Sequence, residues 1–220
     1  MRKTNLKQHM IREHPGGGEA TSRGPTFIRT HIIHLILVAV AIVVVIGVVS
    51  MAEKKAVAVV ETTLGTFEVL LDTEHAPVTA GNFINLSENG FYNGLTFHRV
   101  AKDFVIQGGD PLGTGQGGSG RDLPWEATGL KNEKYTIAMA RAGDPDSSEY
   151  KNTGSSQFFI NLDDNDSLDD YAYPFAVFGR VIEGFNVVDQ IGALYPASMD
   201  GAPTQKVQMN ISIKCRWDLG

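Results

Sequence analysis

The chain has 220 residues, 42% of them apolar, which suffices for one core-bearing domain with some chain to spare. Its formal net charge of −6 is unevenly shared: Met1–Ala52 hold six Lys/Arg against two acids, and the remainder holds 13 against 23. An acidic main domain excludes nucleic acid as its partner, because phosphate binding needs a basic face. Cys215 is the only cysteine, so an intrachain disulfide and a cysteine metal cage are excluded, and a lone thiol near the C-terminus is expected to be buried.

Residues 1–30, with Pro15 and Gly16-Gly17-Gly18, read as a basic, disordered N-terminal arm. From Ile32 to Val49 the only polar residue is His34. Continued through Ala52, this run makes a helix of about 30 Å at ~1.5 Å per residue, the thickness of a bilayer's hydrocarbon core. Residues 31–52 are therefore predicted to form one transmembrane helix, with the lipid bilayer as partner. A signal anchor is the first reading. Two alternatives stay open: a signal peptide cleaved near Ala52, and a cytoplasmic protein whose translation starts at Met51. For an anchor, the Lys/Arg excess ahead of the span places residues 53–220 on the extracytoplasmic side. His9, His14, His31 and His34 lack metal-ligand spacing, and no metal is expected.

In residues 53–220 the β-rich runs Val57–Thr62 and Thr66–Leu71 flank Leu64-Gly65, a hairpin signal. Pro77 opens a helical pattern that Gly90 stops. Further β-rich runs cover Leu95–Val100, Phe104–Gln107, Thr136–Ala140, Gln157–Asn161 and Phe175–Val181. Glu183–Leu194 reads as a second helix. Val207, Met209, Ile211, Ile213 and Cys215 alternate with polar residues, a strand with one wet face. The fold expected is mainly β: a closed, eight-stranded antiparallel barrel capped by two α-helices, with a sandwich as the alternative.

Two stretches carry chemistry. The first is Phe97-His98-Arg99-Val100 followed by Phe104-Val105-Ile106-Gln107-Gly108-Gly109-Asp110-Pro111; the second is Gly154-Ser155-Ser156-Gln157-Phe158-Phe159-Ile160-Asn161. Together they resemble the signature of the cyclophilin-type peptidyl-prolyl cis–trans isomerases, and the resemblance runs in order through residues 57–215. It implies an eight-stranded barrel, isomerisation of X-Pro bonds without a cofactor, and proline-containing peptides and unfolded or partly folded proteins as partners. A monomer is expected.

That reaction breaks no bond, so it needs no nucleophile. Amide resonance sets a barrier of ~18–20 kcal/mol, and uncatalysed exchange takes ~10–100 s. Reaching ~10² per second requires removing about 5 kcal/mol at ~1.36 kcal/mol per decade. An apolar grip on the proline ring and one cation aimed at its nitrogen suit the task. The resemblance assigns the cation to Arg99 and the substrate-bonding amide to Gln107. It lines the proline pocket with Phe104, Val105, Phe159 and Leu168, and adds Met139, Ala140, Gln157 and Phe175 to the groove. His98 is assigned to holding the local fold beside the substrate.

Four positions depart from the family pattern. Val105 replaces a frequent Met. Ser167 stands where cyclosporin-sensitive members have Trp, which argues for weak cyclosporin binding but not against catalysis. Phe175 replaces a frequent His, as in some bacterial-type relatives. Arg141 replaces a usual Asn and places a second cation near the groove. Gly113–Gly118 satisfies a G-x-G-x-x-G search, but no helix opens after it, so it is read as a surface loop. The acidic run Asp163–Asp170 lacks the glycine and final glutamate of a calcium loop. The alternative to an active isomerase is a weakly catalytic module that binds proline peptides.

Overall fold

A computed structural model describes residues 32–43 and 54–217. The chain divides into two units, Met1–Met51 and Ala52–Gly220. In the first, residues 32–43 form helix α1, whose Leu35, Leu37 and Val43 are exposed. Among the described residues no helix is long and apolar enough to cross a membrane. Residues 31 and 44–52 of the expected span, and the expected arm at 1–30, lie outside the described residues.

The second unit is a curled antiparallel sheet with two helices, α2 (Pro77–Glu88) and α3 (Phe185–Gly192). Its ten strands are β1 Lys54–Thr62, β2 Gly65–Leu71, β3 Leu95–Phe97, β4 Arg99–Ala101, β5 Val105–Gly108, β6 Thr136–Met139, β7 Phe158–Asn161, β8 Val177–Glu183, β9 Asp200–Gly201 and β10 Val207–Trp217. They are ordered β3-β10-β1-β2-β8-β6-β7-β5-β4-β9. Ten replace the eight expected for two local reasons. The run Leu95–Val100 is interrupted at His98: β3 pairs with β10, β4 pairs with β5, and the His98 N–H bonds the Gln107 carbonyl at 3.0 Å. The second reason is β9, a two-residue strand on β4 that no pattern announces.

The β1–β2 hairpin closes where it was expected. Thr62 faces Gly65, the Thr62 hydroxyl donates to the Gly65 carbonyl at 2.7 Å, and Gly65 takes φ +133°, a conformation that L side chains rarely adopt. Helix α2 begins at Pro77, which has no N–H to lose. Its next two N–H groups, on Val78 and Thr79, are capped from far along the chain by the two carboxylate oxygens of Glu126, both at 2.9 Å.

The main core joins both helices to the sheet, α3 through Val187, Val188 and Ile191 and α2 through a ring cluster around Phe83. Phe83 lies 5.0 Å from Tyr92, 5.5 Å from Phe158 and 5.2 Å from Phe178, measured between centroids. The buried Tyr92 hydroxyl donates to the Ser156 carbonyl at 3.1 Å, and burial pushes its pKa far up. Strand β10 buries Val207, Met209 and Ile211 and then runs past the core, so Cys215 is exposed rather than buried. A second apolar cluster, around Val105, Ala138, Phe159 and Leu168, sits apart from the first and forms the site.

Candidate active site

Strands β4 and β5 place Arg99 directly opposite Gln107. Cross-strand partners share a face of the sheet, and Arg99 Nη1 donates to Gln107 Oε1 at 3.0 Å. The other edge of the guanidinium meets Asp200 on β9, with Nε to Oδ1 at 2.8 Å and Nη2 to Oδ2 at 2.7 Å. This two-pronged geometry is the strong form of an arginine–carboxylate pair. It holds the Asp200 carboxyl below the usual carboxylate range, against a smaller opposing effect of burial.

The network continues inward. Gln107 Nε2 donates to Gln157 Oε1 at 2.9 Å, and Gln157 Nε2 donates to the carbonyls of Gly115 and Gly117 at 3.0 and 2.7 Å. Those glycines belong to the stretch that mimics a dinucleotide fingerprint. No helix follows it; instead it wraps the buried Asp110 carboxylate, which accepts the N–H groups of Leu112, Thr114 and Gly115 at 2.7, 2.8 and 2.6 Å. A Cβ on Gly117 would stand 2.0 Å from Asp110 Oδ1, so only glycine lets the loop close. Burial raises the Asp110 pKa, but the surrounding N–H groups outweigh it and the carboxyl lies below its ordinary value. The loop is an anion cradle filled by the chain's own side chain.

Beside Arg99 lies the apolar cluster. Val105, Phe159 and Leu168 are buried in it, and Phe104, Ala140 and Phe175 pack against it half-buried. Phe159 and Phe175 meet edge to face at 5.6 Å, and the Arg99 Cζ is 6.0 Å from the Phe104 ring centroid. Leu168 reaches the pocket because Asp166–Leu168 form one 3-10 turn, a detail absent from the sequence reading. Asn165, just before it, donates through Nδ2 to the Phe104 carbonyl at 2.9 Å and to Asn161 Oδ1 at 2.8 Å. Part of the acidic run thus serves as scaffold: Asp164 caps the Lys134 N–H at 2.8 Å and Asp169 accepts from Asn132 Nδ2 at 2.8 Å.

One expected groove residue points elsewhere. Met139 packs in the main core, because strand alternation sends Ala138 to the pocket and its neighbours Ile137 and Met139 to the other side. His98, next to Arg99, lies against Gly115 of the loop, and burial depresses its pKa. Arg141 reaches the site from the far end of β6. Its Cζ lies 4.9 Å from the Phe175 ring centroid, Nη2 donates to the Tyr173 carbonyl, and burial lowers its pKa. A recess of about 370 Å³ lies beside Arg141, lined by Gln107, Gly115, Ala140, Arg141, Thr153 and Gln157. Asp200 and Tyr171, which stacks edge-on to Phe175 at 6.0 Å, are the site residues that sequence reasoning missed. Neither lies in a motif.

Comparison with known proteins identifies the family. Residues 56–214 match the family model described as cyclophilin type peptidyl-prolyl cis-trans isomerase/CLD. Peptidyl-prolyl cis-trans isomerase-like 1 of Neurospora crassa is 42% identical over 155 residues, covering 68% of this chain and 88% of that protein. A peptidyl-prolyl cis-trans isomerase of Acinetobacter baylyi is 41% identical over 166 residues, covering 71% and 83%. Among solved structures, a cyclophilin-type isomerase of Cryptosporidium parvum superposes with a TM-score of 0.63 at 29% identity, over 74% of this chain and 98% of that one. The same protein in the presence of the dipeptide Ala-Pro gives 0.62 at 30% identity, over 73% and 98%. With this signature, sheet and arginine beside an apolar pocket, the chain belongs to the cyclophilin-type peptidyl-prolyl cis–trans isomerases.

Proposed function

We propose that the proline ring of a substrate enters the cluster of Phe104, Val105, Phe159 and Leu168 while Arg99 donates to the proline nitrogen as amide resonance is lost. The observation that carries this is the guanidinium held between Gln107 and Asp200 beside an apolar pocket. A donor whose direction is set before the substrate arrives stabilises the twisted amide without reorganising. Gln107 steadies it and offers its amide to the peptide backbone. The Cryptosporidium relative solved in the presence of Ala-Pro supports proline peptides as ligands. Substrate use is expected to be broad, since the pocket reads a ring rather than a sequence, and the biological role is assistance to protein folding by a monomer.

The test is catalysed exchange of an X-Pro peptide by the full chain, with Arg99→Ala alongside. The variant should lose about a hundredfold in kcat, in the range typical for removing one preorganised donor, while still binding the peptide. Peptide binding by the wild-type chain without faster exchange would instead identify a binding module.

Two further parts of the reading are ours. The sheet closes into an eight-stranded barrel if β3 and β4 count as one strand and the two-residue β9 is set aside; this is supported by the single residue between β3 and β4 and by their pairing with β10 and β5 respectively. Residues 31–52 anchor the chain in a membrane, with the isomerase domain on the extracytoplasmic side. The apolar run from Ile32 to Val49 and the Lys/Arg excess before it support that placement. N-terminal sequencing of protein from its own cells tests it. A start at Glu53 would leave a cleaved, secreted form, and a start at Met51 would remove the membrane altogether.

A further inference from the structure

The geometry points to Asp200 as a positioning residue for the isomerase reaction, a carboxylate that sets the direction of the Arg99 guanidinium before substrate binds. This rests on the role given to Arg99 above. Arginine carries five N–H donors. Asp200 takes one from Nε and one from Nη2, and Gln107 takes one from Nη1. Two remain, one on each terminal nitrogen, for the substrate. A free arginine side chain samples many rotamers. Fixed on two edges, it meets the twisted amide with its ordering already done.

The backbone is built to put the carboxylate there. Asp200 lies opposite Ala101 across the β4–β9 pair, so Arg99, two residues back on the same face, is its diagonal neighbour within reach of a long side chain. The turn that delivers it is fixed by Lys102 N–H to the Met199 carbonyl, Met199 N–H to the Pro196 carbonyl, both 2.8 Å, and the Ser198 hydroxyl to the Asp200 carbonyl at 2.9 Å. Met199 itself is about half exposed and sits at φ +67°, a left-handed conformation that a methionine side chain rarely adopts. Strain of this kind persists where the surroundings over-determine a backbone, and here what it aims is the adjacent carboxylate.

A structural ion pair would change only the amount of folded protein. A positioning residue changes the turnover of each folded molecule. The experiment therefore measures kcat and KM for an X-Pro peptide with Asp200→Ala and the isosteric Asp200→Asn in the full chain. It also records the Arg99 Nε–H signal by NMR, with Arg99→Ala as reference. Asp200→Ala should lower kcat about tenfold with KM within about twofold, as expected for an interaction used in the transition state. Asp200→Asn, which keeps one acceptor oxygen, should recover part of that rate. The Arg99 Nε–H signal, sharp and slowly exchanging in the wild type, should broaden in Asp200→Ala. An Asp200→Asn enzyme with unchanged or higher kcat, or an Nε–H signal indifferent to the substitution, overturns the proposal. If Arg99→Ala itself retains full activity, the fault lies with the role of the arginine and not with its clamp.

Discussion

Arg99 and Arg141 carry the same side chain into opposite surroundings. Arg99 is met by side-chain acceptors on both edges, two oxygens of Asp200 and one of Gln107. Arg141 lies on the face of Phe175 and donates to one backbone carbonyl. In the first case the planar fork is used as a fork. In the second the guanidinium is a cation on an aromatic face, and burial works against its charge. A charged group acquires a direction from the acceptors around it, and the one with the fixed direction is the one beside Phe104.

That contrast is broken most sharply by lysine at each position. Arg99→Lys keeps the charge but cannot span Asp200 and Gln107 together, and it should lose about thirtyfold or more in kcat/KM. Arg141→Lys, whose ammonium can also rest on the Phe175 ring, should stay within about threefold. Peptide-exchange kinetics on both variants decide it, and equal losses would remove the distinction drawn here.

A smaller effect is expected from acid. The Asp200 and Asp110 carboxyls are both held below the ordinary range in the folded chain. The unfolded chain therefore takes up these protons at higher pH than the folded one. Their stabilisation is complete above the ordinary carboxylate value of about 3.9 and is lost as pH falls through the depressed folded values. Urea midpoints should stay level from about pH 7 to 5 and fall below about pH 4. Asp200→Asn should flatten part of that fall. Arg141→Ala should leave its shape unchanged, because neither a carbonyl nor an aromatic face titrates.

Much of this was legible in the chain because the signals are local. The β1–β2 turn, the start of α2 at Pro77 and the alternation along β10 are periodicities and turn chemistry spread over a few residues. Arg99, Phe104, Gln107 and Phe159 stand in two short, specific motifs. Met139 packs in the main core for a physical reason: a strand alternates sides, and a motif names residues without saying which side each one faces. Cys215 was misread because an alternating pattern marks the inward face of a strand but not where the core beneath it ends. Asp200 was invisible. Its strand is two residues long, and its partner lies 101 positions away.

The sequence by itself determined the family, the sheet with its two helices, the arginine beside Phe104 and most of the apolar pocket, because each is written in contiguous residues or in a simple period. Only the tertiary structure decided what holds that arginine. Asp200 faces it through a turn fixed at Met199, and Gln107 is tied through Gln157 to a glycine loop wrapped around Asp110. The direction of a guanidinium depends on acceptors from distant parts of the chain, and those meet only when the sheet has curled.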